Sequence, residues 1–197
     1  MDLELKQIFA ILLLLIIPPP PRTLELCISH DIPTIHSLNA REFFKLYKES
    51  NTELPLALNI KADGLQTPLK SLLETYQITN YFVFDMSAPD CLQYINFGFH
   101  IFTRQSEYEA PIFYKESQGV WLDEFHTHWI NKTIIKEHLH NNKKVCIVSP
   151  ELHKRDYKNE WKDYKNILKT LNTNLAKNLM LCTDYPKMAR DFFRATQ

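Results

Sequence analysis

LALNIKADGLQTPLKSLLETYQITNYFVFD, residues Leu56–Asp85, reads as a strand, a helix and a second strand. Leu56–Ile60 and Tyr81–Phe84 are short apolar runs with little alternation, the pattern of strands buried on both faces. Between them Thr67 is expected as N-cap with Pro68 at the first helical position, and Leu69, Leu72, Leu73 and Tyr76 recur at helical spacing. Each strand ends in groups suited to chemistry: Lys61 and Asp63 after the first, Asp85 after the second.

The same alternation extends in both directions. Further strands are expected at Leu24–Ser29, Phe99–Thr103, Gly119–Leu122, Lys144–Val148 and Asn178–Cys182. Helical spacing recurs in SLNAREFFKLYKE (37–49), APDCLQYINF after Ser87, NKTIIKEHLHNN (131–142), NEWKDYKNILKTL (159–171), and after Pro186. Strand then helix in repetition predicts a parallel α/β domain. Polar residues gather at the strand ends: His30 and Asp31; Lys61 and Asp63; Asp85; Arg104, Glu107 and Glu109; Asp123 and Glu124; Ser149 and Glu151. In (β/α) barrels those ends form one face, which carries the active site. Asp and Ser there also cap the following helix, and Ser87 and Asp184 are expected to do that alone.

Composition narrows the function. The 197 residues fit one domain or one domain with a tail, and zero formal net charge gives no sign of a nucleic-acid partner. Three glycines exclude Gly-rich phosphate loops, so a phosphate would be held by side chains or helix N-termini. Cys27, Cys91, Cys146 and Cys182 form no CxxC pair and read as buried thiols, which fits a cytoplasmic setting. His126, His128, His138 and His140 are His-x-His pairs on separate elements, a weak metal signal.

Residues 1–22 stand apart from the domain expected over 23–197. IFAILLLLII (Ile8–Ile17) is too short for a membrane span of about twenty residues, and Asp2 and Glu4 spoil a signal peptide. It is expected as a docked apolar segment stopped by Pro18–Pro21, the alternative being a membrane anchor over residues 8–17. The prolines permit another origin, since a run of cytosines encodes proline in every frame and can slip.

Taken in order, LCISHD (26–31), LALNIKADG (56–64) and LCTDYPKMARDFF (181–193) resemble the phospholipase C-like phosphodiesterase superfamily, the glycerophosphodiester phosphodiesterases in particular. The resemblance runs from Leu24 to the C-terminus. It implies a (β/α) TIM-type barrel, a phosphodiester ligand that is a small molecule or lipid-derived head group, and a divalent metal, Ca²⁺ or Mg²⁺. It places His30 as general acid/base and Lys61 against the phosphate.

The family's metal-binding Glu falls on Asn59, with Asp63 and Asp123 as further oxygen ligands; Arg104, Glu107 and Glu124 are the expected substrate contacts. Arg104 suits a phosphate because its guanidinium pairs bidentately with such oxygens, and an ion pair with Glu107 or Glu124 is the plainer reading. The family's opening His-Arg strand and Glu-x-Asp strand have no counterpart here. An incomplete barrel lacking its first two strands follows, with Leu56–Ile60 and Asn178–Cys182 left as unpaired edges unless the apolar run covers them as an inserted strand or a helix. A catalytically inactive relative, or a product of frame slippage, is the alternative function.

If slippage made the N-terminal segment, the codons for Pro18–Pro21 form an unbroken cytosine tract and another frame upstream encodes the His-Arg and Glu-x-Asp strands; sequencing the coding DNA checks both.

Overall fold

The structure, a computed structural model, describes residues 6–17, 25–29, 33–34 and 36–194; for 6–17 and Glu25 it describes the backbone. Pro18–Pro21, His30 and Asp31 lie outside the described residues. The rest falls into two compact units, one from Phe9 to Ile101, the other from Phe102 onward together with the chain up to Ile8.

The first unit contains most of β1 (Lys6–Ile17), then β2 (Glu25–Ile28), β3 (Leu38–Asn39), α1 (Ala40–Glu49), β4 (Leu56–Ile60), α2 (Gln66–Thr75), β5 (Tyr81–Phe84) and α3 (Ala88–Asn96). β4 and β5 are parallel, Leu56–Asn59 lying beside Tyr81–Phe84. β1 runs parallel to β4, with Phe9–Leu13 beside Leu56–Ile60, and its far end pairs antiparallel with β2. β2 in turn pairs antiparallel with β3. Asn39 caps α1 by accepting from the Arg41 N–H (2.8 Å), and Ser87 caps α3 as its sequence position suggests.

The second unit contains β6 (Phe102–Ser106), β7 (Gly119–Asp123), α4 (Lys132–His140), β8 (Lys144–Val148), a 3-10 turn (Pro150–His153), α5 (Lys158–Lys169), α6 (Thr173–Ala176), β9 (Leu179–Cys182) and α7 (Pro186–Arg194). β6 to β9 are all parallel, and Lys6–Ile8 of β1 run parallel to Met180–Cys182. Val120, Leu122, Val145, Ile147, Leu179 and Leu181 pack with Ile135 and Leu139 of α4, Trp161, Tyr164 and Leu168 of α5, and Phe193 of α7. Strand parity leaves Trp121, Asp123, Cys146, Val148, Met180 and Cys182 on the opposite face, and these are buried as well. Burial on both faces explains why the strands read as unbroken apolar runs.

The apolar run Ile8–Ile17 is a strand, so the inserted-strand form of the expectation is the one observed. Both edges expected to lie unpaired, β4 and β9, have β1 as a hydrogen-bonded neighbour. No described helix is long and apolar enough to cross a membrane. All four cysteines are buried thiols. Between β5 and the segment before β6 the pairing is a single parallel bridge, Val83 with Ile101, and the described strands make no closed sheet.

Several boundaries differ from the sequence reading, two of them for a clear physical reason. The strand expected at Phe99–Thr103 is β6, Phe102–Ser106. Phe99 and Ile101 are buried apolar residues that precede the ladder, and the ladder itself takes polar residues at its C-terminal end. α2 begins at Gln66 with Leu65 as its cap residue, not at Thr67. Gln66 is drawn into the buried interior by its side-chain amide, which donates to Asp90 (2.6 Å), and Pro68 still falls in the first turn, where its missing N–H is harmless. Gly119 is fixed by packing: a methyl group there would collide with the ring of Phe102.

Leu122→Ala, at a fully buried position, is expected to cost about 2–5 kcal/mol. Leu46→Ala, at a position 59% exposed, is expected to stay within about 0.5 kcal/mol. Urea unfolding of both variants checks the contrast.

Candidate active site

In the unit from Phe9 to Ile101, the chemistry sits after β4 and β5. Asn59 is buried with Phe84 opposite it in the ladder, and its Oδ1 has no hydrogen-bond partner among the described residues. Lys61 Nζ meets Asp85 Oδ2 at 2.6 Å, an ion pair about one-third exposed on the lysine side. Asp85 adopts a left-handed backbone (φ 72°), which turns the chain sharply off the end of β5. Asp63 accepts from the Ser87 hydroxyl (3.0 Å). Asp90, buried beneath them, accepts from the Gly64 N–H (3.1 Å) and from Gln66.

This donor set is a poor fit for the Ca²⁺ or Mg²⁺ that the family resemblance implies. Such cations take several oxygen ligands, carboxylates among them. Asn59 supplies only a neutral amide oxygen, Asp63 is engaged by a hydroxyl, and Asp85 faces the Lys61 ammonium at hydrogen-bond distance.

In the other unit, four groups of polar contacts follow β6, β7 and β8. Asp123, the last residue of β7, accepts from His153 Nε2 at 2.5 Å, and the Phe125 ring lies 4.6 Å from the imidazole. Arg104 of β6 is ion-paired with Glu109, not with Glu107 or Glu124. The Glu107 carboxylate accepts three successive backbone N–H groups, from Phe125 (3.0 Å), His126 (2.9 Å) and Thr127 (3.2 Å). Burial raises its pKa, but these donors more than offset that and bring it down to about 2. Glu107 thus fastens the loop after β7 to the loop after β6.

The last group is buried. Glu124 accepts from the Ile130 N–H and the Tyr164 hydroxyl (3.0 Å), and lies 3.1 Å from His128 Nδ1. His128 is also 3.6 Å from Glu160, and Arg155 is ion-paired with both Glu160 and Glu124. Burial, then the neighbouring Glu124, raise Glu160 to about 7, against the pull of Arg155 and His128. Glu124, His128 and Glu160 each offer a ligand atom within 4.8 Å of the others, a group that could hold a metal ion.

Of the residues singled out in the sequence, Lys61 meets Asp85, Arg104 meets Glu109, Asp63 meets Ser87 and Asp123 meets His153. Glu107 is exposed but engaged by backbone, and Glu124 is fully buried. Sequence reasoning passed over His153, Arg155 and Glu160. His153 lies in the segment directly after β8, where a scan of strand-end segments for histidine would have found it. Glu160 reads as the exposed face of α5, and nothing in the sequence ties it to Glu124.

No family model matches the chain, and no curated protein does. Among solved structures, the fold is similar to one described as "Crystal Structure of a putative glycerophosphodiester phosphodiesterase from Galdieria sulphuraria". The TM-score is 0.68 at 16% identity, over 95% of this chain and 85% of that one. The likeness establishes the class of fold, an α/β arrangement of parallel strands of the kind the sequence resemblance indicates.

The lowered pKa of Glu107 sets a pH dependence. Its folded value lies below its ordinary 4.5, so its contribution to stability is complete above that pH and is lost as the pH falls toward about 2. Glu107→Gln is expected to melt below wild type at pH 7, with the gap narrowing below pH 4.5; thermal melts across that range check it.

Proposed function

We propose that the chain is a phosphoric diester hydrolase-like protein acting on a glycerophosphodiester or a related small phosphodiester. The observation that supports it most directly is the fold likeness, taken together with a lysine, Lys61, at the end of a central parallel strand. In this reading the strands belong to an incomplete (β/α) barrel, and His30 is the general acid/base. Hydrolysis of a phosphodiester expels an alkoxide, which needs a proton as it leaves, and an imidazole suits that transfer near neutral pH. The Lys61 ammonium offsets charge on the phosphoryl oxygens. Arg104, in the other unit, has a guanidinium suited to phosphate oxygens and is held by Glu109. In the unit of Lys61, Asn59 and Asp63 offer neighbouring oxygen acceptors; in the other unit Glu107 holds the loops in place and Asp123 accepts from His153.

One observation favours a second reading, a relative that binds a phosphodiester without cleaving it. β1, the strand beside β4, carries no ionisable residue from Ile8 to Ile17, so it brings neither an acid nor a histidine.

Release of choline from glycerophosphocholine distinguishes the two. The hydrolase reading expects turnover that falls by about 10²–10⁴ in His30→Ala, the usual contribution of a positioned acid/base. Equal rates in both proteins would remove His30 from the chemistry. Binding without turnover, weakened by Lys61→Ala, would establish the second reading.

A further inference from the structure

The described histidines differ in what their two ring nitrogens have left to offer. His138 has both engaged, Nδ1 with the Tyr114 hydroxyl (2.9 Å) and Nε2 with Gln105 (2.8 Å). His128 has Nδ1 against Glu124 and Nε2 3.4 Å from Asp163. His126 Nε2 is bonded to Tyr108, and His100 Nδ1 lies 3.3 Å from the Tyr81 carbonyl. His153 alone pairs one nitrogen with a carboxylate at the end of a parallel strand and has no hydrogen-bond partner for the other among the described residues.

That arrangement has a chemical direction. An ionised carboxylate only accepts, so the 2.5 Å contact puts a hydrogen on Nε2 and fixes the ring by donating it to Asp123. In the neutral ring Nδ1 is then a bare acceptor, oriented by its partner. The Phe125 ring against the imidazole limits its rotation further. Asp123 is buried, while the His153 side chain is 22% exposed, so the dyad is anchored at one end and open to a ligand at the other. The chain places it directly after β7 and β8, at the ends of parallel strands where ligands of such folds bind.

We propose that His153, positioned by Asp123, is a ligand-contacting residue whose Nδ1 accepts a hydrogen bond from a hydroxyl of the polyol portion of the substrate. This rests on the phosphodiester reading above and adds to it what the ligand must carry besides phosphate: a hydroxyl donor, as in a glycerophosphodiester. Asp123 acts through His153 and is a positioning residue.

The test compares two probes, glycerophosphocholine, which has free glycerol hydroxyls, and dimethyl phosphate, which has none. Binding is followed by calorimetry, with KM in its place where turnover occurs. His153→Gln is expected to weaken glycerophosphocholine by about tenfold, the worth of a typical side-chain hydrogen bond in a bound ligand, and to leave dimethyl phosphate unchanged. Asp123→Asn, whose amide oxygen still accepts from Nε2, should retain most of that affinity, whereas Asp123→Ala should lose it. Circular dichroism confirms that each variant is folded; should His153→Gln not fold, the Asp123 pair carries the comparison. If wild type binds both probes and His153→Gln alters neither, the dyad is structural and the proposal falls while the phosphodiester reading stands. An equal loss for both probes would place His153 on the phosphate and overturn the hydroxyl assignment. If wild type binds neither probe, the phosphodiester reading fails and this proposal with it.

Discussion

A parallel strand that is apolar on both faces still needs hydrogen-bonding neighbours along its edges, and the fold depends on how β1 meets that need for two strands. Through Phe9–Leu13 it pairs with β4, and through Lys6–Ile8 with β9. Without it, the backbone N–H and C=O groups along one edge of each would be left for solvent or another chain, the usual route to strand-edge aggregation. In β1 the sequence IFAILLLLII is an unbroken apolar run with only one small residue, Ala10. The same composition leaves it nothing to contribute to chemistry, so polar function in the first unit falls to β4 and β5.

Strand ends in this chain are rich in charge, yet the net charge is zero and most of those charges are spent locally. Lys61 is taken by Asp85, Arg104 by Glu109, Arg155 by Glu160. The first two pairs, partly exposed, contribute little to stability. Their effect is on availability: a ligand oxygen that approaches Lys61 or Arg104 competes with a carboxylate already in place. Among the described groups with spare hydrogen-bonding capacity are Asn59 Oδ1 and His153 Nδ1.

The sequence makes the architecture legible because its signal is local. Buried strands of four or five residues and amphipathic helices announce themselves in windows of that length, and the caps at Ser87 and Asn131 lie next to the helices they serve. β6 is displaced because four of the five residues of FTRQS are polar, and an apolar window slides onto Phe99–Ile101 instead. The site is less legible, because its partners are far apart in the chain. Lys61 and Asp85 are 24 residues apart, Asp123 and His153 30, Glu124 and Tyr164 40. A strand-end acid can be recognised from sequence, but whether it faces a lysine, a loop of backbone donors or a histidine depends on register and on loop paths. Glu107 and Glu124 show the consequence: similar in sequence, one clamps a surface loop and the other is buried beneath α5.

The buried cluster around Glu124 shows how charge is balanced where water is excluded. Two carboxylates close together in a poorly solvated place cannot both stay ionised without compensation. Arg155 supplies one positive charge, bonding Glu160 and the Glu124 carbonyl, and His128 lies against both acids. The remaining repulsion falls on Glu160, whose pKa rises to about 7, while Glu124 has the Ile130 N–H and the Tyr164 hydroxyl to itself. Glu160 thus holds its proton more readily than an ordinary carboxyl. A cation entering between Glu124, His128 and Glu160 would have to displace that proton and loosen Arg155. Its binding would therefore be measured against an arrangement that already satisfies each of its members, in contrast to the open nitrogen of His153, which displaces nothing when it takes a ligand.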